Sequence, residues 1–130
     1  MKKAISSSAP EWQERMDTIK EISDQNFDEE VLKCELTVLV CFTTKWCHHC
    51  YPTCLVVDEL SEEYSGKIKF VRVDIEESPE VAERYHVIPM PTILLFQDSQ
   101  PMKKMLGLQD RFSLRDVLDS VITEEELSYR

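Results

Sequence analysis

Glycine is nearly absent from this chain: only Gly66 and Gly107 occur in 130 residues. That excludes collagen-like repeats and flexible glycine linkers. Long apolar runs are also missing, and none approaches the ~20 residues of a membrane-spanning helix. Met1-Lys2-Lys3 resembles the start of a secretory leader, but Ala4-Ile5-Ser6-Ser7-Ser8 is not an apolar core and Glu11 soon interrupts it. A cytoplasmic chain without a leader is expected. Basic charge is short as well, with 15 Lys and Arg against 25 Asp and Glu and a formal net charge of −10. Such a chain repels polyanions, so nucleic acid and acidic lipid are poor partners for it. Finally, the cysteine count of 5 is odd. Secreted disulfide scaffolds usually carry an even set. One cycling pair among free thiols fits a reducing compartment.

What is present is enough for one core: 42% of residues are apolar, and the length suits a single domain. Residues 1–16 read as a polar N-terminal extension, with Pro10-Glu11-Trp12 able to open a short helix. Residues 17–123 read as the domain, and 124–130 as an acidic, frayed tail. Within the domain, Thr18 to Ile22 suggests an edge strand and Phe27 to Cys34 a helix with acids in its first turn. Thr37 to Thr43 is apolar on both faces, which places it centrally in a sheet. From His48 to Tyr64, the residues Cys50, Cys54, Val57, Leu60 and Tyr64 recur at helical spacing, and Gly66 ends that helix. Ile68 to Asp74 is a strand. Ser78-Pro79 predicts a capped helix start running to about Tyr85.

Thr92 to Phe96 reads as a second central strand and Met102 to Leu106 as an edge guarded by Lys103 and Lys104. A last helix carries Leu114, Val117, Leu118 and Val121 on one face, capped by Asp110 or Ser113. The order is α/β. The first two β-α-β units suggest parallel pairing, and the last two strands a hairpin.

The chemistry concentrates in Trp46-Cys47-His48-His49-Cys50. The motif follows a buried strand and opens an amphipathic helix, so Cys47 lies where a helix N-terminus favours a thiolate. Three-residue spacing sets Cys47 and Cys50 on one helix edge, within reach of a disulfide. Cys34, Cys41 and Cys54 sit in or beside apolar runs and read as small core residues. For Cys54, one turn beyond Cys50, a passive core thiol is favoured over an alternative disulfide partner. His86 reads as structural.

Three separated features resemble the thioredoxin family over about Ile19 to Ile122: W-C-x-x-C after a buried strand, Met90-Pro91-Thr92 before the next buried strand, and Gly107 between the last strand and helix. The resemblance implies a thioredoxin fold, a central mixed β-sheet flanked by helices. It implies a thiol–disulfide oxidoreductase that needs no cofactor or metal, with Cys47 and Cys50 as the redox disulfide. Pro91 would take the family's cis-proline role, and Met90 would pair with an extended substrate by strand addition. Protein disulfides would be the substrates and a thioredoxin reductase the electron donor.

The chain departs from the family at several positions. His48-His49 replaces the Gly-Pro of reductase-type thioredoxins and is more similar to protein disulfide isomerases and disulfide oxidases. The family's buried acid falls at Cys41, its helix proline at Leu55 (with Pro52 earlier), and its strand lysine at Arg72. By the resemblance, Cys47 attacks a partner disulfide, and Cys50 then resolves the mixed disulfide.

Trp46 is expected to pack beside the disulfide as an apolar contact surface, unless it is an ordinary core aromatic. His48 and His49, if charged near Cys47, lower the thiolate pKa. Each unit is worth roughly 30 mV if it favours only the reduced form, which predicts a potential between about −270 mV (thioredoxin) and about −180 mV (protein disulfide isomerase). Alternatively both imidazoles point into solvent. Lys45 adds positive field or is simply solvated. Within the enzyme class an oxidase or isomerase stays open, and so do two other classes: a redox-sensing or adaptor module with little turnover, and a metal site, which four near-consecutive ligands cannot readily enclose.

Overall fold

The computed structural model describes residues 19–87 and 90–129. The expected N-terminal extension, residues 1–16, lies outside the described residues. The described strands are β1 (Lys20–Ile22), β2 (Thr37–Thr43), β3 (Ile68–Asp74), β4 (Thr92–Gln97) and β5 (Gln100–Leu106). They form one sheet in the order β1-β3-β2-β4-β5. β2 is buried along its whole length, as two-faced apolarity predicts for a strand covered on both sides.

β3 lies parallel to β2, joined through helix α1 (Tyr51–Glu63). β4 runs antiparallel to β2, and β5 antiparallel to β4. The sheet is therefore mixed. The expected pairing of the first β-α-β unit is corrected: β1 runs in the same direction as β2 but pairs with β3. Three residues carry too little pattern to choose a neighbour.

Four local expectations also change. The segment expected to be a helix from Phe27 to Cys34 is a single π-helical turn over Asp28–Leu32, with Val31 buried. The helix expected to begin at His48 begins as a 3₁₀ turn over His48–Cys50 and becomes α-helical at Tyr51, leaving Pro52 in the first turn. There its missing N–H costs no intrahelical bond. Helix α2 (Pro79–Arg84) is not capped by Ser78. Asp24 does this instead, its two carboxylate oxygens accepting from the Glu80 and Val81 N–H groups at 3.1 and 2.9 Å. Helix α3 (Arg111–Tyr129) takes Asp110 as its cap, the Asp110 Oδ1 accepting from Ser113 N–H at 2.8 Å. Its backbone carries on through Glu124-Glu125-Glu126, which the sequence pattern set apart as a tail.

The sheet divides the core. On one face Leu39, Cys41, Phe70, Ile93 and Leu95 pack with Val57 and Leu60 of α1 and Leu114 and Leu118 of α3. On the other, Val38, Val40, Phe42, Val71 and Phe96 pack with Phe27, Val31 and Val81. The β4–β5 hairpin turns at Asp98 and Ser99, both at positive φ (54° and 68°). That is the hand a two-residue hairpin turn needs. Gly107, at φ 79°, ends β5, and its N–H donates to the Pro91 carbonyl at 2.8 Å. No described helix is long and apolar enough to cross a membrane.

Candidate active site

The chain leaves β2 at Thr43 and makes a tight turn before the helix. Trp46 N–H donates to Thr44 Oγ1, Cys47 N–H to the Thr44 carbonyl, and Cys50 N–H to the Cys47 carbonyl. These bonds fix Cys47 as the residue that opens the 3₁₀ turn. Cys47 and Cys50 are joined by a disulfide, with Cα atoms 5.3 Å apart. The two sulfurs differ in access. Cys47 is half-buried, whereas Cys50 is only 1% exposed. Cys47 is thus the more exposed residue of the pair.

Trp46 is not a core aromatic: it is 71% exposed. Its indole N–H donates to Glu76 Oε1 at 3.1 Å, which holds the ring beside the motif. Lys45 does not lend free positive field to the site. Its ammonium pairs with Glu77 at 3.2 Å, and that hydrogen bond raises its pKa. His48 is exposed. His49 contributes its backbone to the 3₁₀ turn, and the expectation for its side chain lies outside the described residues.

Pro91 is buried, Met90 is half-buried, and the Met90–Pro91 bond is cis. Thr92 is paired with Phe42 in the antiparallel β2–β4 ladder. Pro91 therefore adjoins the end of β2 from which the cysteine motif departs.

A cleft of about 480 Å³ opens beside the motif. Cys47, His48, Tyr51, Cys54 and Leu55 form one wall, Thr43, Thr44 and Lys45 another, and Glu21, Arg72 and Asp74 the sheet edge. The strand ladders explain the edge. Glu21 is in register with Arg72, and Arg72 with Cys41, so the three residues form one row across β1, β3 and β2. Row neighbours share a sheet face. Arg72 also faces Glu21 at 3.7 Å.

Cys41 is buried, as its apolar run predicted. Cys54 is a thiol rather than part of a disulfide, as expected, but it is half-buried and lines the cleft instead of being enclosed in the core. The two thiols are hydrogen-bonded to each other. That bond, reinforced by burial, pushes the Cys41 thiol well above its ordinary range. The bond from Cys41, helped by Thr43 and by the charge of Arg72, draws the Cys54 thiol down.

Sequence reasoning missed Thr43, Thr44, Tyr51, Glu21 and Asp74 as cleft residues. Only the register of β1 and β3 against β2 brings the last two there. Cys54 could have been found from its one-turn offset from Cys50, but not its polar surroundings.

The thioredoxin family model matches residues 18–120. Among characterised relatives, a thioredoxin of Rickettsia felis is 36% identical over 101 residues, covering 78% of this chain and 96% of the relative. A thioredoxin of Synechocystis is 35% identical over 107 residues, covering 82% of this chain and 100% of the relative. One of Buchnera aphidicola is 36% identical over 107 residues, covering 82% and 99%.

Proposed function

Because this chain belongs to the thioredoxin family of thiol–disulfide oxidoreductases, we propose that it reduces or exchanges disulfides in other proteins through Cys47 and Cys50. The observation that carries this reading is the Cys47–Cys50 disulfide at a helix start, with one sulfur accessible and the other enclosed. The Cys47 thiolate attacks a sulfur of the partner disulfide, and the other partner sulfur leaves as a thiolate. Cys50 then gives up its proton and attacks Cys47. The bond between Cys47 and the partner breaks, and the partner departs reduced. Trp46 offers apolar surface at the rim. By the family resemblance, the Met90 backbone, ahead of buried Pro91, would pair with an extended substrate by strand addition. His48 supplies local positive charge when protonated.

The expected setting is cytoplasmic, with a thioredoxin reductase as donor. Insulin reduction fed by such a reductase tests the activity. The wild-type chain should turn over, and Cys47→Ser should lower the rate at least 10³-fold, the scale of losing a covalent nucleophile. Turnover that survives Cys47→Ser would refute the proposal.

One observation favours a second reading, a thioredoxin-like adaptor with slow turnover. The row position where the family carries a buried acid holds Cys41, whose raised pKa disqualifies it as a proton acceptor near neutrality. Unchanged partner binding with both motif cysteines replaced would favour that reading over catalysis.

A further inference from the structure

Beside the Cys47–Cys50 disulfide lies a second pair of sulfurs that the exchange reaction does not use. Cys41 projects from β2 within the core, and Cys54 from α1 onto the cleft. Their thiols are in hydrogen-bond contact, so their sulfurs already lie close together. The pair differs in access as the first pair does: Cys54 is open to the cleft and Cys41 is 2% exposed. The groups around Cys54 suit an anion. Arg72 and Thr43 line the same cleft, and the Arg72 charge and the Thr43 hydroxyl both favour the Cys54 thiolate. A partly open setting with a cation beside the sulfur is where cysteines become reactive, and a nearby second thiol is what turns a first oxidation product into a disulfide.

We propose that Cys41 and Cys54 form a second redox pair, oxidised by a small peroxide that enters the cleft and reaches Cys54. The Cys54 thiolate attacks one peroxide oxygen. The O–O bond breaks, hydroxide leaves and is protonated to water, and Cys54 becomes a sulfenic acid. The Cys41 sulfur then attacks Cys54 Sγ. The S–O bond breaks, the hydroxide leaves as water with the proton of Cys41, and the S–S bond forms. In sum two thiols lose two electrons and two protons, and hydrogen peroxide becomes two waters. Two molecules of a low-molecular-weight thiol entering by the same cleft restore the dithiol and leave as their own disulfide. The proposal does not depend on the direction in which Cys47 and Cys50 exchange.

The test uses the full chain with Cys47–Cys50 already oxidised. Hydrogen peroxide is added, remaining thiols are alkylated, and unreduced peptides are mapped by mass spectrometry. A Cys41–Cys54 crosslink should form, leaving Cys34 as the alkylated thiol, and Cys54 should react on the order of tenfold faster than Cys34. In Cys41→Ser, Cys54 should stop at a sulfenic acid that a dione reagent traps. Should that variant fail to fold, the crosslink in the wild-type chain decides. Two results would overturn the proposal. One is Cys41 and Cys54 both staying alkylatable after Cys34 has been oxidised. The other is the crosslink forming without peroxide while Cys47 and Cys50 become reduced in step.

Discussion

His48 and Cys47 line one cleft, and the proposed function would have a protonated imidazole there favour the Cys47 thiolate. Replacing His48 by Ala should lower the potential of the Cys47–Cys50 couple by up to about 30 mV, the worth of one pKa unit of thiolate stabilisation. Equilibration of both proteins with glutathione buffers measures it. A midpoint unchanged by His48→Ala would mean that the imidazole acts on solvent alone. Cys54 makes a second residue-scale prediction. It faces Cys41 and Thr43 of β2 and Arg72 of β3, with Glu21, Asp74, Lys45 and His48 around the cleft.

Its thiol is drawn down to about 7, so its alkylation should accelerate as pH rises through that value, below an ordinary thiol. Removing the donor in Cys41→Ala should move the midpoint up. Iodoacetamide kinetics in a Cys34→Ser background reads both. At this scale the Cys47–Cys50 pairing was legible from identity and spacing, and the cis bond before Pro91 from the family resemblance. The exposure of Trp46 and the polar setting of Cys54 were not. Both depend on groups more than ten residues away, Glu76 for the first and Cys41, Thr43 and Arg72 for the second.

At the scale of elements, the motif is held by what flanks it. β2 is pinned between β3 and β4 and delivers Thr43 and Thr44 to the turn. α1 is held at its first turn by Gln109, whose backbone N–H donates to Thr53 Oγ1 at 3.0 Å, and at its far end by Tyr64, whose hydroxyl donates to Asp119 of α3. Desolvation and that carboxylate push the Tyr64 phenol up to about 12. α2 depends on a loop far away in sequence, because Asp24 caps it. Asp24→Ala should therefore cost about 1 kcal/mol, the usual worth of a cap, seen as a lower urea midpoint with an unchanged slope.

Ser78→Ala should cost less, since the Ser78 hydroxyl makes no cap bond. Strands and helices were readable where burial is two-sided or periodic, as in β2 and α1. Caps and strand order were less so. The sequence pointed to Ser78, and only tertiary placement brings Asp24 to the helix start instead.

Across the whole molecule, the fold sets two sulfur pairs side by side. One opens at the sheet end where β2 meets the helix, and the other spans β2 and α1 just behind it. The mixed sheet makes this arrangement. The antiparallel entry of β4 brings Met90 and Pro91 to the same end as Cys47, while the parallel β3 supplies Arg72 to the cleft. The overall α/β class followed from the order of patterned segments, but the neighbour of β1 and the row Glu21-Arg72-Cys41 required the structure, because register is a property of paired strands and not of either alone.

The central claim is that Cys47 is the attacking sulfur and Cys50 the resolving one. It is tested most directly by incubating reduced Cys50→Ser with a protein disulfide and mapping the adduct. The account predicts a stable mixed disulfide through Cys47, absent in Cys47→Ser. An adduct through Cys54, or none at all, would contradict it.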